Sequence, residues 1–277
     1  MMPVPHAFKD IVPALEPWVD SLATDPLANA LQNWFAEIEI VHFLGLFSIA
    51  ACVIAVSLRL VGVGIREAPP SEVWRNTRLW LHIGLIAAIG SGLLMGLSNA
   101  DKLYKNTAFF WKMIAMTAAI VFSYAVLIPT AKADGATPAR ARIGLAIGMA
   151  VWVLSILVML TNRGGNVGAI HLMTAATLLG LAGLKGHGRW LFLTLAAAAV
   201  IALQVVTHWL VTDPFSERFM TVNKVWMWAC GLGLLAFLGA RVLWPGQDPT
   251  RVSRLVGYAT ILAWVTVGAG GRWIGYT

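Results

Sequence analysis

The chain has 277 residues, of which 58% are hydrophobic and only 12% charged, with a mean hydropathy of +0.75. Soluble domains carry about 25% charged residues, and runs of about 20 apolar residues recur here, so the composition excludes a soluble domain and points to a polytopic α-helical bundle in the lipid bilayer. The net charge of +7 does not imply a nucleic-acid partner, because the basic residues cluster in short loops between apolar runs, a pattern that belongs to membrane topology.

Residues 1–33 form an arm of mixed polarity that holds Pro3, Pro5, Pro13, Pro17 and Pro26. Proline removes a backbone donor and clashes with the preceding turn, so no single helix runs through the arm. One or two short helices between Leu15 and Asn33, lying on the outer surface, are expected instead. Asp10, Glu16, Asp20 and Asp25 interrupt any apolar run there, so a cleavable leader is not expected.

Eight membrane segments follow, at roughly 35–60, 78–98, 108–129, 142–161, 166–184, 189–211, 222–243 and 253–275. Their lengths suit a hydrocarbon core of about 30 Å at 1.5 Å per residue. The loops after the odd-numbered segments, with their helix ends, hold twelve of the twenty Lys and Arg residues, against four acidic ones; the other side has eight basic and nine acidic residues. The positive-inside bias places the first set in the cytoplasm and both termini in the periplasm of a bacterial inner membrane. Trp34, Trp74, Tyr104, Trp111, Trp190, Trp244, Trp273 and Tyr276 stand near segment ends and read as interfacial anchors.

The segments fall into two four-helix halves, 34–163 and 164–277. Arg142 precedes Trp152 by ten residues, as Arg254 precedes Trp264. Each of these helices ends in a glycine–arginine cluster, Arg163-Gly164-Gly165 and Gly270-Gly271-Arg272. Lys112 and Lys224 match in the same way, near the outer ends of segments three and seven. An even number of helices per half makes the repeats parallel.

Four histidines lie inside the apolar segments: His42, His82, His171 and His208. Ionisable groups are costly in hydrocarbon, so each is a functional candidate. Segment directions put His42, His171 and His208 near the outer face and His82 near the inner one. Neutral imidazole at such a place suits haem iron or another metal. His171 and His208, on adjacent antiparallel helices flanked by alanines, are the expected axial ligands of a haem b, with His42 the alternate. Lys112, Lys224, Arg163 and Arg272 would supply the cations for its propionates. Glu39 and His42 share a helix face in the Glu-x-x-His spacing by which bundles present metal ligands, so a metal set of Glu39, His42, His171 and His208 is the related reading. Glu39 is otherwise expected to orient His42 by a hydrogen bond. Gln204, one turn before His208, could face a quinone or a neighbouring helix.

Cys52 and Cys230 both lie in apolar runs, and no CxxC, CxxCH, phosphate loop, dinucleotide fingerprint or nucleophile elbow is present. Gly90, Gly92 and Gly96, Gly144 and Gly148, and Gly231 and Gly233 are spaced for close helix contact.

The stretch from Trp34-x-x-x-Ile38 through His42-x-x-Gly45 to Leu58-Arg59-Leu60-x-Gly62, with Phe110-x-Lys112 and the C-terminal Trp264 to Gly271-Arg272-Trp273-Ile274-x-Tyr276, resembles an uncharacterised bacterial family of multi-helix inner-membrane proteins. That resemblance implies architecture and no activity. A looser similarity is to membrane haem b and copper-resistance proteins, which place histidines on the helices of a four-helix unit. The chain lacks their second histidine pair near the inner face, which argues against electron transfer across the whole membrane within it.

The expected function is therefore a cytochrome b-like electron-transfer subunit with haem near the periplasmic face, exchanging electrons with quinone or with a periplasmic redox protein. A histidine-lined metal or proton transporter, with His82 as an inner step, is the alternative. A non-catalytic subunit that assembles with other membrane subunits is the third.

Overall fold

A computed structural model describes residues 5–161, 171–172, 174–179, 186–210, 225 and 250–276. Every regular element among the described residues is helical. Five helices are long and apolar enough to cross a membrane: Phe35–Val61, Pro70–Ser98, Thr107–Lys132, Ala139–Thr161 and Arg251–Trp273. The expected segments 166–184 and 222–243 lie largely outside the described residues, so the described part establishes an all-α membrane bundle and not the count of eight or its division into halves.

The arm breaks where its prolines require. Short helices α1 (Phe8–Ile11), α2 (Glu16–Leu22) and α3 (Pro26–Asn33) are joined by a 3-10 turn at Pro13–Leu15. Asp25 caps α3 by accepting from Leu27 N at 2.8 Å and Ala28 N at 3.0 Å, with Pro26 in the first helical turn, where its missing N–H costs nothing.

The first span, α4 (Phe35–Val61), ends at Gly62, whose φ of 88° closes the helix in the left-handed conformation. The second, α5, runs Pro70–Ser98 and begins eight residues before the expected position, because Pro70 starts a helix readily and Val73 and Trp74 are buried. His82 is therefore three turns inside α5. After α6 (Ala100–Lys105), Asn106 caps α7 (Thr107–Val121) by accepting from Phe109 N at 2.7 Å. The helix then passes through a π segment, Phe122–Leu127, into α8 (Ile128–Lys132). Pro129 explains the change of pitch: it cannot donate to the Ala125 carbonyl, and its ring crowds that turn. The remaining described helices are α9 (Ala139–Thr161), α10 (His187–Leu210) and α11 (Thr250–Trp273).

Small residues bring the spans together, as expected where lipid removes the hydrophobic drive between helices. Gly45 and Gly84 let α4 and α5 meet backbone to backbone; a Cβ on Gly45 would stand 2.8 Å from the Gly84 carbonyl oxygen. Gly144 and Gly148 do the same for α9 against Ala125 and Phe122, as their spacing predicts. Gly90 and Gly96 do not, since a Cβ on either would meet nothing within 4 Å. The last span, α11, packs against α4 and α7, so its Val256, Ala259 and Ala263 share a core with Ile49, Val53 and Trp111.

Two tryptophans from the matching positions behave alike. Trp152 Nε1 donates to Thr266 Oγ1 at 2.9 Å, and Trp264 Nε1 donates to Ser123 Oγ at 3.0 Å. Among the expected interfacial anchors, Trp34 and Trp190 are 63% and 69% exposed and fit that role. Trp74, Trp111 and Tyr104 do not: they are buried, at 7%, 1% and 6% exposure, because helices extend or pack over the ends where they stand. Trp273 is half-buried, and Trp244 lies outside the described residues.

The two ends of the bundle differ. At one, Ser71 N donates to Asp134 at 3.0 Å, Arg59 Nε donates to the Ala68 carbonyl at 2.5 Å, and Gly135 lies beside Ser253. At the other, Tyr104 Oη donates to the Val12 carbonyl at 2.7 Å and Gln32 Nε2 to the Ser98 carbonyl at 3.0 Å. There too Asn106 Nδ2 donates to the Ile274 carbonyl at 2.9 Å, so the arm and residues 274–276 share this end.

Candidate functional site

A cavity of about 460 Å³ opens at the arm end of the bundle, between α4, α5, α7 and α11. Helical periodicity supplies its walls. His42, Leu46 and Ile49 recur at i, i+4 and i+7 on α4; Lys112, Met116 and Ile120 recur every four residues on α7. Trp264 and Val267 come from α11, and α5 contributes Leu85, Ala88, Ile89, Leu93 and Leu97 with Gly92 and Gly96 among them. The arm is the roof: Phe8, Val12, Leu15, Trp18, Val19 and Leu22 all face the space. Tyr104 closes the rim and holds the arm through Val12. Phe8 fixes the far end of the roof, its ring lying edge-on to Phe110 at 5.2 Å.

In this largely apolar lining two side chains are basic, His42 and Lys112. His42 Nδ1 meets Ser91 Oγ at 3.1 Å, across the α4–α5 contact. The room for the ring comes from Gly92, where an added Cβ would lie 3.2 Å from His42 Cε1. Lys112 is half-buried, and Gly270 and Gly271 make its place: a Cβ on Gly270 would be 2.5 Å from Lys112 Cβ. The glycine pair read from sequence as part of a repeat thus has a local purpose, to seat a lysine stem against α11. The Lys112 ammonium lies within electrostatic reach of His42.

The other expected site residues are placed as follows. Glu39 is half-buried one turn above His42, but the partner of the His42 ring is Ser91, so the orienting role expected of Glu39 falls to a serine on the next helix. His171 is helical and half-buried, its ring 6.3 Å from that of Trp273 at the end of α11, and its Nε2 is buried with no hydrogen-bond partner among the described residues. His208 lies in α10, but its side chain is outside the described residues, as are Gln204's side chain and the whole of Arg163 and Lys224. Arg272 is exposed at the end of α11. Among the described residues no group of three or more His, Cys, Asp or Glu side chains stands together to hold a metal ion.

His82 does not line the cavity. It is exposed, its Nδ1 is 2.6 Å from the Arg78 carbonyl, and its ring lies against Trp74 and Tyr124 at 6.2 and 5.9 Å. Cys52 is buried, with its thiol donating to the Thr77 carbonyl at 3.3 Å, the packing role expected of it.

Sequence reasoning missed the roof and Ser91. The arm's apolar residues follow no long period, and only their position over the cavity shows what they cover. Ser91 stands in Gly90-Ser91-Gly92, a run that reads as helix packing until His42 is seen opposite.

Neither curated proteins nor solved structures yield a match to the chain. Residues 33–169, which hold His42, Ser91 and Lys112 and four of the five candidate spans, match the model of a family of unknown function (DUF6644), so this stretch is similar to an uncharacterised family built of several apolar helices.

Proposed function

We propose that the protein is a membrane redox subunit that takes a lipid-soluble carrier of the quinone class into the cavity and exchanges its electrons with a partner at the arm end of the bundle. The observation that carries this reading is the pairing of one imidazole and one ammonium in an otherwise apolar cavity of about 460 Å³. Ligand sites typically combine an apolar wall with a few polar groups that fix orientation. A quinone headgroup offers ring oxygens to such groups and an isoprenoid tail to the apolar wall. His82, packed on Arg78, Trp74 and Tyr124 away from the cavity, gives the transporter reading no inner step.

A haem b near the same end is the second reading, with His171 and His208 as axial ligands. The buried Nε2 of His171 favours it, because a buried ring nitrogen without a hydrogen-bond partner calls for another kind of ligand. Lys112 and Arg272, with Lys224 and Arg163, remain its cations. Eight spans in two halves, the basic loops in the cytoplasm and both termini in the periplasm belong to the same proposal, supported by the distribution of basic residues.

The test is the content of protein purified from haem-replete bacterial membranes. Solvent extraction is expected to release quinone in near-stoichiometric amount, and Lys112→Met is expected to reduce it severalfold. A reduced-minus-oxidised visible spectrum reads the haem. A preparation with neither quinone nor a haem band rejects the redox reading.

A further inference from the structure

The hydrogen bonds around His42 fix which of its nitrogens carries the proton. Ser91 has a single hydroxyl hydrogen, and it goes to the backbone: Ser91 Oγ is 2.5 Å from the Ala87 carbonyl oxygen and 3.3 Å from that of Ala88. Ser91 Oγ is therefore left as an acceptor toward His42, and Nδ1, 3.1 Å away, must be the donor. With Nδ1–H turned to α5, the neutral ring offers an unprotonated Nε2 as its remaining polar atom. The two basic side chains on the cavity wall are thus opposite in kind. Lys112 can only donate, and His42 Nε2 can only accept.

A ligand that satisfies both must carry a hydroxyl hydrogen and a separate oxygen acceptor. A carboxylate has acceptors only and would set its charge against the Nε2 lone pair. An oxidised quinone likewise has only acceptors. A ring with two oxygens, at least one of them hydroxylated, satisfies both groups. The rest of the lining suits a flat ring: Gly96 adds no side chain between Leu93 and Leu97 of α5, and Met113, Met116 and Trp264 offer polarisable and aromatic surface.

We infer that the cavity selects the reduced form of a lipid-soluble aromatic carrier, a hydroquinone, which donates a hydroxyl hydrogen to His42 Nε2 and accepts from Lys112 through its other ring oxygen. This rests on the carrier reading of the cavity and specifies which redox form it holds. Ser91 is a positioning residue, acting only through the tautomer of His42.

The test titrates the full chain in nanodiscs, kept anaerobic, with decylubiquinol, decylubiquinone and oleate, followed by fluorescence of Trp18 and Trp264, which line the cavity. Decylubiquinol is expected to bind about tenfold more tightly than decylubiquinone, the worth of one buried hydrogen bond. In His42→Leu that preference is expected to disappear. Ser91→Ala removes no cavity wall but frees the tautomer, and is expected to cut the preference severalfold. Lys112→Met is expected to weaken both redox forms alike. Equal affinity for the two forms, or a preference that survives in both His42→Leu and Ser91→Ala, overturns the inference and leaves the carrier site standing. Binding of oleate in place of either form, or of no probe at all, overturns the carrier reading with it.

Discussion

Lys112 shows how single residues set the chemistry here. An ammonium a turn and a half into a membrane helix is costly in lipid, and two glycines of α11 remove that setting by giving its stem a seat beside Trp111. Gly270→Ala would drive a Cβ to 2.5 Å from Lys112 Cβ and 3.0 Å from Trp111. Overpacking of this kind costs about 1–3 kcal/mol, and the expected result is a lower unfolding temperature in detergent with loss of carrier binding. Gly90→Ala meets nothing within 4 Å and is expected to leave stability within about 0.5 kcal/mol of wild type. At the opposite end, Asp134 has a φ of 48° and accepts from Ser71, and that bond holds its carboxyl below its ordinary value of 3.8. A lowered carboxyl stabilises the fold above pH 3.8, and the contribution is lost as pH falls through the folded value. The difference in unfolding temperature between wild type and Asp134→Asn is therefore expected to be constant near neutrality and to shrink below about pH 4. A difference that does not change with pH would show that the charge of Asp134 is immaterial.

Among the elements, the arm and α7 carry most of the design. The arm is a chain of short helices with one apolar side over the cavity, tied down by the Tyr104–Val12 bond and by packing of Phe8 on Phe109 and Phe110. Tyr104→Phe removes one hydrogen bond, worth about 1 kcal/mol, and is expected to speed tryptic cleavage at exposed Lys9 severalfold without changing the spans. An unchanged rate would mean that Phe8 alone holds the roof. The π segment of α7 turns Ser123 toward α11, where it accepts from Trp264. Trp152 makes the corresponding bond from α9 to Thr266. Trp152→Phe keeps the ring volume but loses that donor, and a loss of about 1 kcal/mol is expected on thermal unfolding. The sequence marked both tryptophans by their spacing after an arginine. It could not name their partners, because an indole N–H on a helix distant in sequence satisfies its bond wherever packing brings a hydroxyl.

For the whole molecule, the arm and residues 274–276 share one end, and the Arg59, Asp134 and Ser253 turns share the other. The proposed orientation, argued from the excess of basic residues at the second end, puts that end in the cytoplasm. In a background free of Cys52 and Cys230, Lys9→Cys is expected to react with an impermeant maleimide in spheroplasts, and Arg66→Cys only after lysis. The reverse pattern would invert the orientation while leaving the fold intact. Composition and hydropathy by themselves determined that the chain is a helical membrane bundle, roughly where five spans lie, and that His42 and Lys112 are expensive enough to need a purpose. Those properties are local: a residue's cost in lipid and a helix's length depend on the residues within a few turns. Only the tertiary structure decided that His42 and Lys112 meet in one cavity, that Ser91 rather than Glu39 holds the imidazole, that Gly45, Gly84 and Gly270 are the close contacts while Gly90 and Gly96 are open, and that the arm is a roof. Each of these depends on which face of one helix meets another, and that is set by packing between residues far apart in sequence, which no local pattern encodes.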